Sequence, residues 1–153
     1  GGDGMDFTPK DPDFEARVRA SFARQPMMET LGATMTDVRP GTVTIVSTIP
    51  PGTLQQQGST HAGLAFSIGD SAAGYAASSL LPTGNEIVTS EIKIPLLAPG
   101  RGERLVATGR VIRPGRRLTI VEADVWSETA GARTLIAKLM GTMVPVPLVE
   151  PTT

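Results

Sequence analysis

The feature that most constrains the fold is one almost uncharged segment, residues 61–81, in which Asp70 is the only ionised side chain. The segment is rich in Ala, Gly, Ser, Leu and Ile, and this composition predicts a helix that is apolar around its whole circumference. A helix of that kind has to be buried. Its many small residues would let a sheet wrap closely around it, and Pro82 ends it.

Strand-like segments lie on both sides of this helix. Two precede it, at 31–38 and 42–49, with a Pro40-Gly41 hairpin signal between them. Four follow it, at 87–97, 103–112, 118–126 and 134–144. Because the linkers between these four are short and turn-like, they are expected to be antiparallel neighbours. The order predicts an α+β domain in which one antiparallel sheet of about six strands curls around a long central helix.

The N-terminal part predicts one more helix and a simple domain layout. Asp13 can cap an amphipathic helix of about three turns that starts near Phe14, and Pro26 ends it. Residues 1–12 are expected to form a flexible arm whose first four residues include a tag remnant. Residues 13–146 are expected to form a single domain, and residues 147–153 a C-terminal tail.

Composition narrows the classes of function. The chain has 153 residues, enough for one domain with a sizeable core, and a net charge of −1 that gives no general attraction to nucleic acid or to an anionic membrane. It has no cysteine, which excludes disulfides, thiol catalysis and zinc–thiolate sites. It also lacks an apolar run long enough to span a membrane and the pattern of a signal peptide. A cytoplasmic location is therefore expected.

His61, the only histidine, and Asp70 belong to the same predicted helix but cannot form a pair within it. Nine residues at about 100° each leave the two side chains half a turn apart, and they are about 13 Å apart along the helix axis. A site that uses both residues must therefore combine two copies of the chain, which predicts a homodimer.

The start of this helix and its single acid can both serve carbonyl chemistry. The first backbone N–H groups, at Ala62 and Gly63, lack partners within the helix and lie at its positive end, so they can stabilise an oxyanion. Small side chains leave this backbone accessible. Asp70 can act as a general base on water or as a nucleophile on a thioester or ester carbonyl, and the residue types leave that choice open.

Purely structural interpretations exist for each of these residues. A histidine at a helix start can serve only as a cap, and a buried aspartate can simply accept structural hydrogen bonds. Thr89 also fits an ordinary strand. The group of arginines fits a solvated sheet edge that discourages aggregation; its members are Arg101, Arg110, Arg113, Arg116 and Arg117.

Three strings of the sequence match a known family. They are Gln55-x-x-Gly58-x-x-His61-Ala62-Gly63 followed by Asp70, then 88–94 ending in Leu97-Ala98-Pro99, and then 109–117. Over about residues 28–145 the chain resembles the hotdog-fold acyl-CoA thioesterases of the phenylacetate-pathway (PaaI-like) type. The resemblance implies the hotdog fold, a homodimer assembled into a homotetramer, and hydrolysis of aryl- or medium-chain acyl-CoA to a carboxylic acid and CoA.

The resemblance also implies a role for each site residue. Asp70 would be the catalytic carboxylate, as general base or nucleophile, and the Ala62 N–H would bind the thioester carbonyl. His61 would hold the turn and the thioester end in place, Gln55 would lie near the attacking water or the carbonyl, and Thr89 would help to orient the water or the intermediate. In this family the carboxylate and the turn come from different subunits.

One position departs from the family pattern, and three further residues are assigned to the substrate. The usual motif is His-Gly-Gly, and Ala62 replaces its middle glycine, which preserves the N–H. Gly63, Arg113 and Arg116 are expected to contact the substrate, the arginines through the CoA phosphates. No metal or separate cofactor is expected, and CoA enters only as part of the substrate.

Two other functions on the same fold remain as alternatives. A non-catalytic module that binds acyl-CoA or a similar ligand would show saturable binding without turnover, although it has no need of a carboxylate beside a carbonyl site. A hydratase would need a histidine and an aspartate close together as acid and base, and the spacing of His61 and Asp70 does not provide that.

Overall fold

The computed structural model describes residues 6–149, so the tag remnant expected at the N-terminus and the last residues of the expected tail lie outside it. The elements within that range are, in chain order, α1 (Phe14–Ala23), α2 (Pro26–Thr30), β1 (Ala33–Arg39), β2 (Thr42–Ser47), α3 (Ala62–Ser78), β3 (Asn85–Lys93), β4 (Arg104–Pro114), β5 (Thr119–Thr129) and β6 (Ala132–Pro147). A short 3-10 helix occupies Pro51–Thr53.

The six strands form one antiparallel sheet in the order β1-β2-β4-β5-β6-β3, and α3 packs against it. The predicted α+β fold, with one sheet around a long helix, is confirmed. The close packing of α3 against the sheet requires small residues at the contact. A Cβ added at Gly109 would lie 2.3 Å from the backbone carbon of Ala72, and one added at Gly69 would lie 2.8 Å from the side chain of Leu139.

The neighbours of β3 differ from the prediction. β3 pairs with β6 and not with β4, whose other neighbour is β2. The strand expected at 87–97 ends at Lys93, and the chain then continues beside β6, where Leu97 N–H donates to the carbonyl of Ile136. Residues 94–103 therefore cross from β3, at the edge of the sheet, to β4 in its interior. β3 does not pair with β4 because β2 and β5 lie on the two sides of β4.

The central helix is shorter and less enclosed than predicted. It runs from Ala62 to Ser78, with His61 as its N-cap, where the sequence predicts 61–81. Its middle is buried, but Ala62 is exposed and Phe66 is 40% exposed. The prediction of burial on all sides is therefore wrong at the N-terminal end. None of the helices in the described range has both the length and the apolar character needed to cross a membrane.

The N-terminal region contains a helix that the sequence prediction lacked. Pro26 does follow α1, but it also begins α2, because proline suits the first turn of a helix. The described part of the expected arm packs against the domain. Phe7 packs against the core and lies next to Gly41, and Asp11, which is 6% exposed, accepts a 2.9 Å hydrogen bond from Arg17.

Candidate active site

Asp70 lies in the middle of α3 and reaches β3. The hydroxyl of Thr89 donates a 2.7 Å hydrogen bond to Asp70 Oδ1, and Thr89 Oγ1 also lies 3.2 Å from Met143 Sδ. Asp70 is half-buried, which corrects the expectation of full burial. Burial raises the pKa of Asp70 above its ordinary value, and the hydrogen bond from Thr89 offsets part of that increase. The carboxylate is therefore more basic than that of a solvated aspartate.

Asp70 and Thr89 open onto a cavity of about 430 Å³. Its other walls come from the C-terminal half of α3, from the start of β3 and from the junction between α1 and α2. Sequence reasoning missed the contribution of the junction, where Arg24 and Gln25 line the cavity. No motif surrounds these two residues, and only the position of α1 against α3 brings them to Asp70.

The N-terminus of α3 holds the second group of predicted site residues. His61 Nδ1 accepts a 2.8 Å hydrogen bond from the N–H of Gly63, so the side chain caps the helix. A Cβ at Gly63 would lie 2.9 Å from that nitrogen, which explains the glycine. The N–H of Ala62 has no partner among the described residues and belongs to an exposed residue. The cap thus occupies the Gly63 N–H and leaves the Ala62 N–H available.

Gln55 shares a cavity with Ala62. This second cavity, also of about 430 Å³, lies between the loop before α3 and the crossover after β3. The side-chain oxygen of Gln55 accepts a hydrogen bond from the N–H of Gln57, and Gly58, with a φ of 88°, closes the turn. Since its oxygen is engaged within the loop, the amide NH₂ of Gln55 is the group that can donate to a ligand.

The two groups of residues do not meet within one chain. The cavity beside Asp70 and Thr89 and the cavity beside Gln55 and Ala62 share no lining residue. This separation is the one that the helical rotation between His61 and Asp70 predicts. The two groups, Asp70 with Thr89 and Gln55 with Ala62, are therefore two separate candidate half-sites of one chain.

The arginines differ in their surroundings. Arg110 is paired with Glu122 and Asp124 at 3.0 and 2.8 Å. Arg113 and Arg116 are exposed, and neither has an ion-pair partner within residues 6–149. Arg116 lines a third cavity near the C-terminal end of α3, away from both half-sites.

Among the five arginines of the predicted group, Arg101 is the one that lines a cavity together with other predicted site residues. It lines the cavity of Ala62, and its Nε donates a 3.1 Å hydrogen bond to Ser59 Oγ, which holds the guanidinium stem at the rim. Sequence reasoning included it among five arginines without selecting it. Within the described range no three His, Asp or Glu side chains form a group that could hold a metal ion.

The chain is similar in sequence to known proteins. Residues 57–133 match the sequence model of the family described as the Thioesterase superfamily. A protein from Deinococcus radiodurans named a putative esterase is 32% identical over 134 residues, which cover 83% of this chain and 88% of that protein.

Solved structures show the same fold. A thioesterase family protein from Silicibacter pomeroyi superposes with a TM-score of 0.86 and 37% identity, over 88% of this chain and 98% of that chain. The Escherichia coli PaaI protein from the phenylacetic acid degradation operon superposes with a TM-score of 0.80 and 22% identity, over 90% of this chain and 96% of that chain. The chain therefore belongs to the thioesterase superfamily and has the hotdog fold.

Proposed function

We propose that this chain hydrolyses acyl-CoA thioesters, with aryl or medium-chain acyl groups, at a site that two copies of the chain form together. The observation that carries the proposal is that the Asp70–Thr89 pair and the Ala62 N–H, at the N-terminal end of α3, belong to two separate cavities of one chain. The Asp70–Thr89 pair would activate the water and the Ala62 N–H would bind the carbonyl oxygen, and neither group is sufficient alone.

The edge of β3 supports a homodimer. β3 carries Thr89 and pairs with β6 on one side, while its other edge has no partner among the described residues. Residues 88–91 are exposed there, including Val88 at 46%. An unpaired edge of this length normally binds another strand or is protected. We infer that β3 of a second copy covers it, and that two such dimers assemble into a tetramer.

The proposed reaction has one chemical step for each half-site. The Ala62 N–H of one copy donates to the thioester carbonyl oxygen, and Asp70 of the second copy takes a proton from water. The water oxygen bonds to the carbonyl carbon, the C–S bond breaks, and CoA leaves as the thiolate, which takes the proton from Asp70 and so regenerates the carboxylate. Thr89 fixes the carboxylate, and the Gln55 amide donates to the water or to the carbonyl oxygen. Arg101, Arg113 and Arg116 are the candidates for the CoA phosphates.

The first experiment measures release of free CoA from a panel of short, long and aromatic acyl-CoAs. We expect turnover of aryl or medium-chain members, and at least a hundredfold loss of kcat/KM in Asp70→Asn. Asp37→Asn is the matched control, because Asp37 lies on β1, its side chain is 42% exposed, and its ion-pair partner among the described residues is Arg39, so the variant should retain full activity. Saturable binding without turnover in the parent protein would instead support the non-catalytic module.

A further inference from the structure

The cavity beside Asp70 has a hydrogen-bonded wall that hydrolysis of a thioester does not itself require. Gln25 Nε2 donates a 3.1 Å hydrogen bond to the hydroxyl of Tyr75, and Gln25 Oε1 accepts a 3.2 Å hydrogen bond from Ser71 Oγ. The Tyr75 hydroxyl also lies 3.1 Å from Ser21 Oγ. All four side chains line the cavity. These four side chains form a polar wall that extends from Ser21 in α1 to Ser71, the residue after Asp70 in α3.

The wall is held in place by packing as well as by hydrogen bonds. Tyr75 is 8% exposed, and its ring meets the ring of Phe22 edge to face with 6.1 Å between centroids. Gln25 is held at both ends of its amide. Because these rotamers are fixed, the hydrogen-bonding groups would lose little conformational freedom when a ligand binds.

The wall has more hydrogen atoms than its own contacts use. The hydroxyls of Ser21 and Tyr75 share one contact, which uses only one of their two hydrogens. The Gln25 amide has two N–H groups, and one of them donates to Tyr75. Among the described residues, one hydroxyl hydrogen and one amide hydrogen thus lack an acceptor. A ligand that places an oxygen atom beside this wall would accept hydrogen bonds from these two hydrogens.

We propose that Gln25 and Tyr75 determine specificity by selecting acyl groups that carry an oxygen atom remote from the thioester. The inference rests on the proposed function and assigns this wall to the acyl group. A hydrocarbon chain of the same length would displace the water that solvates the spare hydrogens of the wall, and it would supply no acceptor in place of that water. A site built to hydrogen-bond one substrate disfavours the analogue that lacks the partner atom.

The test compares pairs of acyl-CoAs that differ by one hydroxyl group. One pair is hexanoyl-CoA and 6-hydroxyhexanoyl-CoA, and the other is 3-phenylpropanoyl-CoA and 3-(4-hydroxyphenyl)propanoyl-CoA. For at least one pair we expect kcat/KM for the hydroxylated member to be about fivefold higher or more. In Gln25→Leu and in Tyr75→Phe the ratio should fall towards one. The ratio does not depend on the fraction of folded enzyme, and Tyr75→Phe keeps the ring packed against Phe22.

Thr44→Val is the control, because it removes a side-chain hydrogen bond to Thr108 that lies in the sheet, away from the cavity. It should leave the ratio unchanged. A ratio of one or less for both pairs in the parent protein, or a preference that survives in both cavity variants, would overturn the inference while leaving thioester hydrolysis intact. Absence of turnover with every acyl-CoA would refute the proposed function, and the selectivity with it.

Discussion

Thr89 Oγ1 donates a 2.7 Å hydrogen bond to Asp70 Oδ1, and this bond joins β3 to the middle of α3. It fixes one oxygen of the carboxylate. The other, Oδ2, forms no hydrogen bond with any residue in the described range, so it is the oxygen that can take a proton from water. The pair therefore combines an oriented carboxylate with an open proton acceptor.

The Thr89 hydrogen bond should control the acid side of the pH profile. Activity requires ionised Asp70, and burial raises the pKa of Asp70. We therefore expect kcat/KM to fall, as the pH decreases, with a midpoint above the ordinary aspartate value of 3.8. Thr89→Val removes the bond that favours the ionised form, so the midpoint should move to higher pH.

The measurement is kcat/KM as a function of pH for the parent and for Thr89→Val, with Thr89→Ser as the control that retains a hydroxyl. The serine variant should keep its midpoint close to that of the parent. A midpoint in Thr89→Val that stays the same or moves to lower pH would contradict the assigned role of the bond.

Asp70→Asn should stabilise the protein at neutral pH even though it removes activity. Between its unfolded and its raised folded pKa, Asp70 binds more protons in the native state, so ionisation costs stability as the pH rises through that interval. Asparagine avoids this cost and can still accept from Thr89. Urea unfolding should give a higher free energy of unfolding for Asp70→Asn at pH 7, and the difference should shrink as the pH falls towards 4. A less stable variant at pH 7 would show that the carboxylate is structurally favourable.

Ala62→Pro should remove the proposed oxyanion donor without damaging the helix. Ala62 is the first residue of α3, where proline is well tolerated, and His61 has the extended backbone, with φ of −64° and ψ of 142°, that suits a residue before proline. We expect kcat to fall by about a hundredfold or more with an unchanged melting temperature. Ala62→Gly retains the N–H and should stay active. Full activity in Ala62→Pro would assign the carbonyl to another donor.

Oxygen labelling tests for a nucleophilic Asp70 whose acyl-aspartyl anhydride is opened by water at the aspartyl carbonyl. The raised pKa of Asp70 supports the general base, in which water attacks the thioester directly. In a single turnover in H₂¹⁸O with enzyme in excess, the acid product should then contain one ¹⁸O, and the protein should contain none. Recovery of ¹⁸O in the peptide that contains Asp70 would instead establish an acyl-aspartyl anhydride and a nucleophilic mechanism.

The sequence predicted the central helix, the six strands and the single sheet, because each depends on local periodicity or on turn residues. It did not predict that β3 would pair with β6, since strand order depends on which edges meet in three dimensions. Residues 99–102 have turn composition, yet they belong to a crossover rather than to a hairpin.

Some residues of the candidate site could likewise be predicted from the sequence, and others depend on three-dimensional packing. The opposition of His61 and Asp70 follows from helix geometry alone, and Thr89 came from the family resemblance. Gln25 was missed because its nearness to Asp70 depends on how α1 and α2 pack against α3. Arg101 was not selected among the arginines, because only the cavity beside Ala62 distinguishes it from the others.

The central claim is that one active site combines Ala62 of one copy with Asp70 of another, and mixing two inactive variants tests it most directly. Asp70→Asn and Ala62→Pro are unfolded together in equal amounts and refolded. Half of the resulting dimers should be mixed, and each mixed dimer should contain one intact site, so about one quarter of the parent activity should return. Each variant refolded alone should remain inactive. Activity in the mixture that stays at the level of the separate variants would contradict a site shared between two copies.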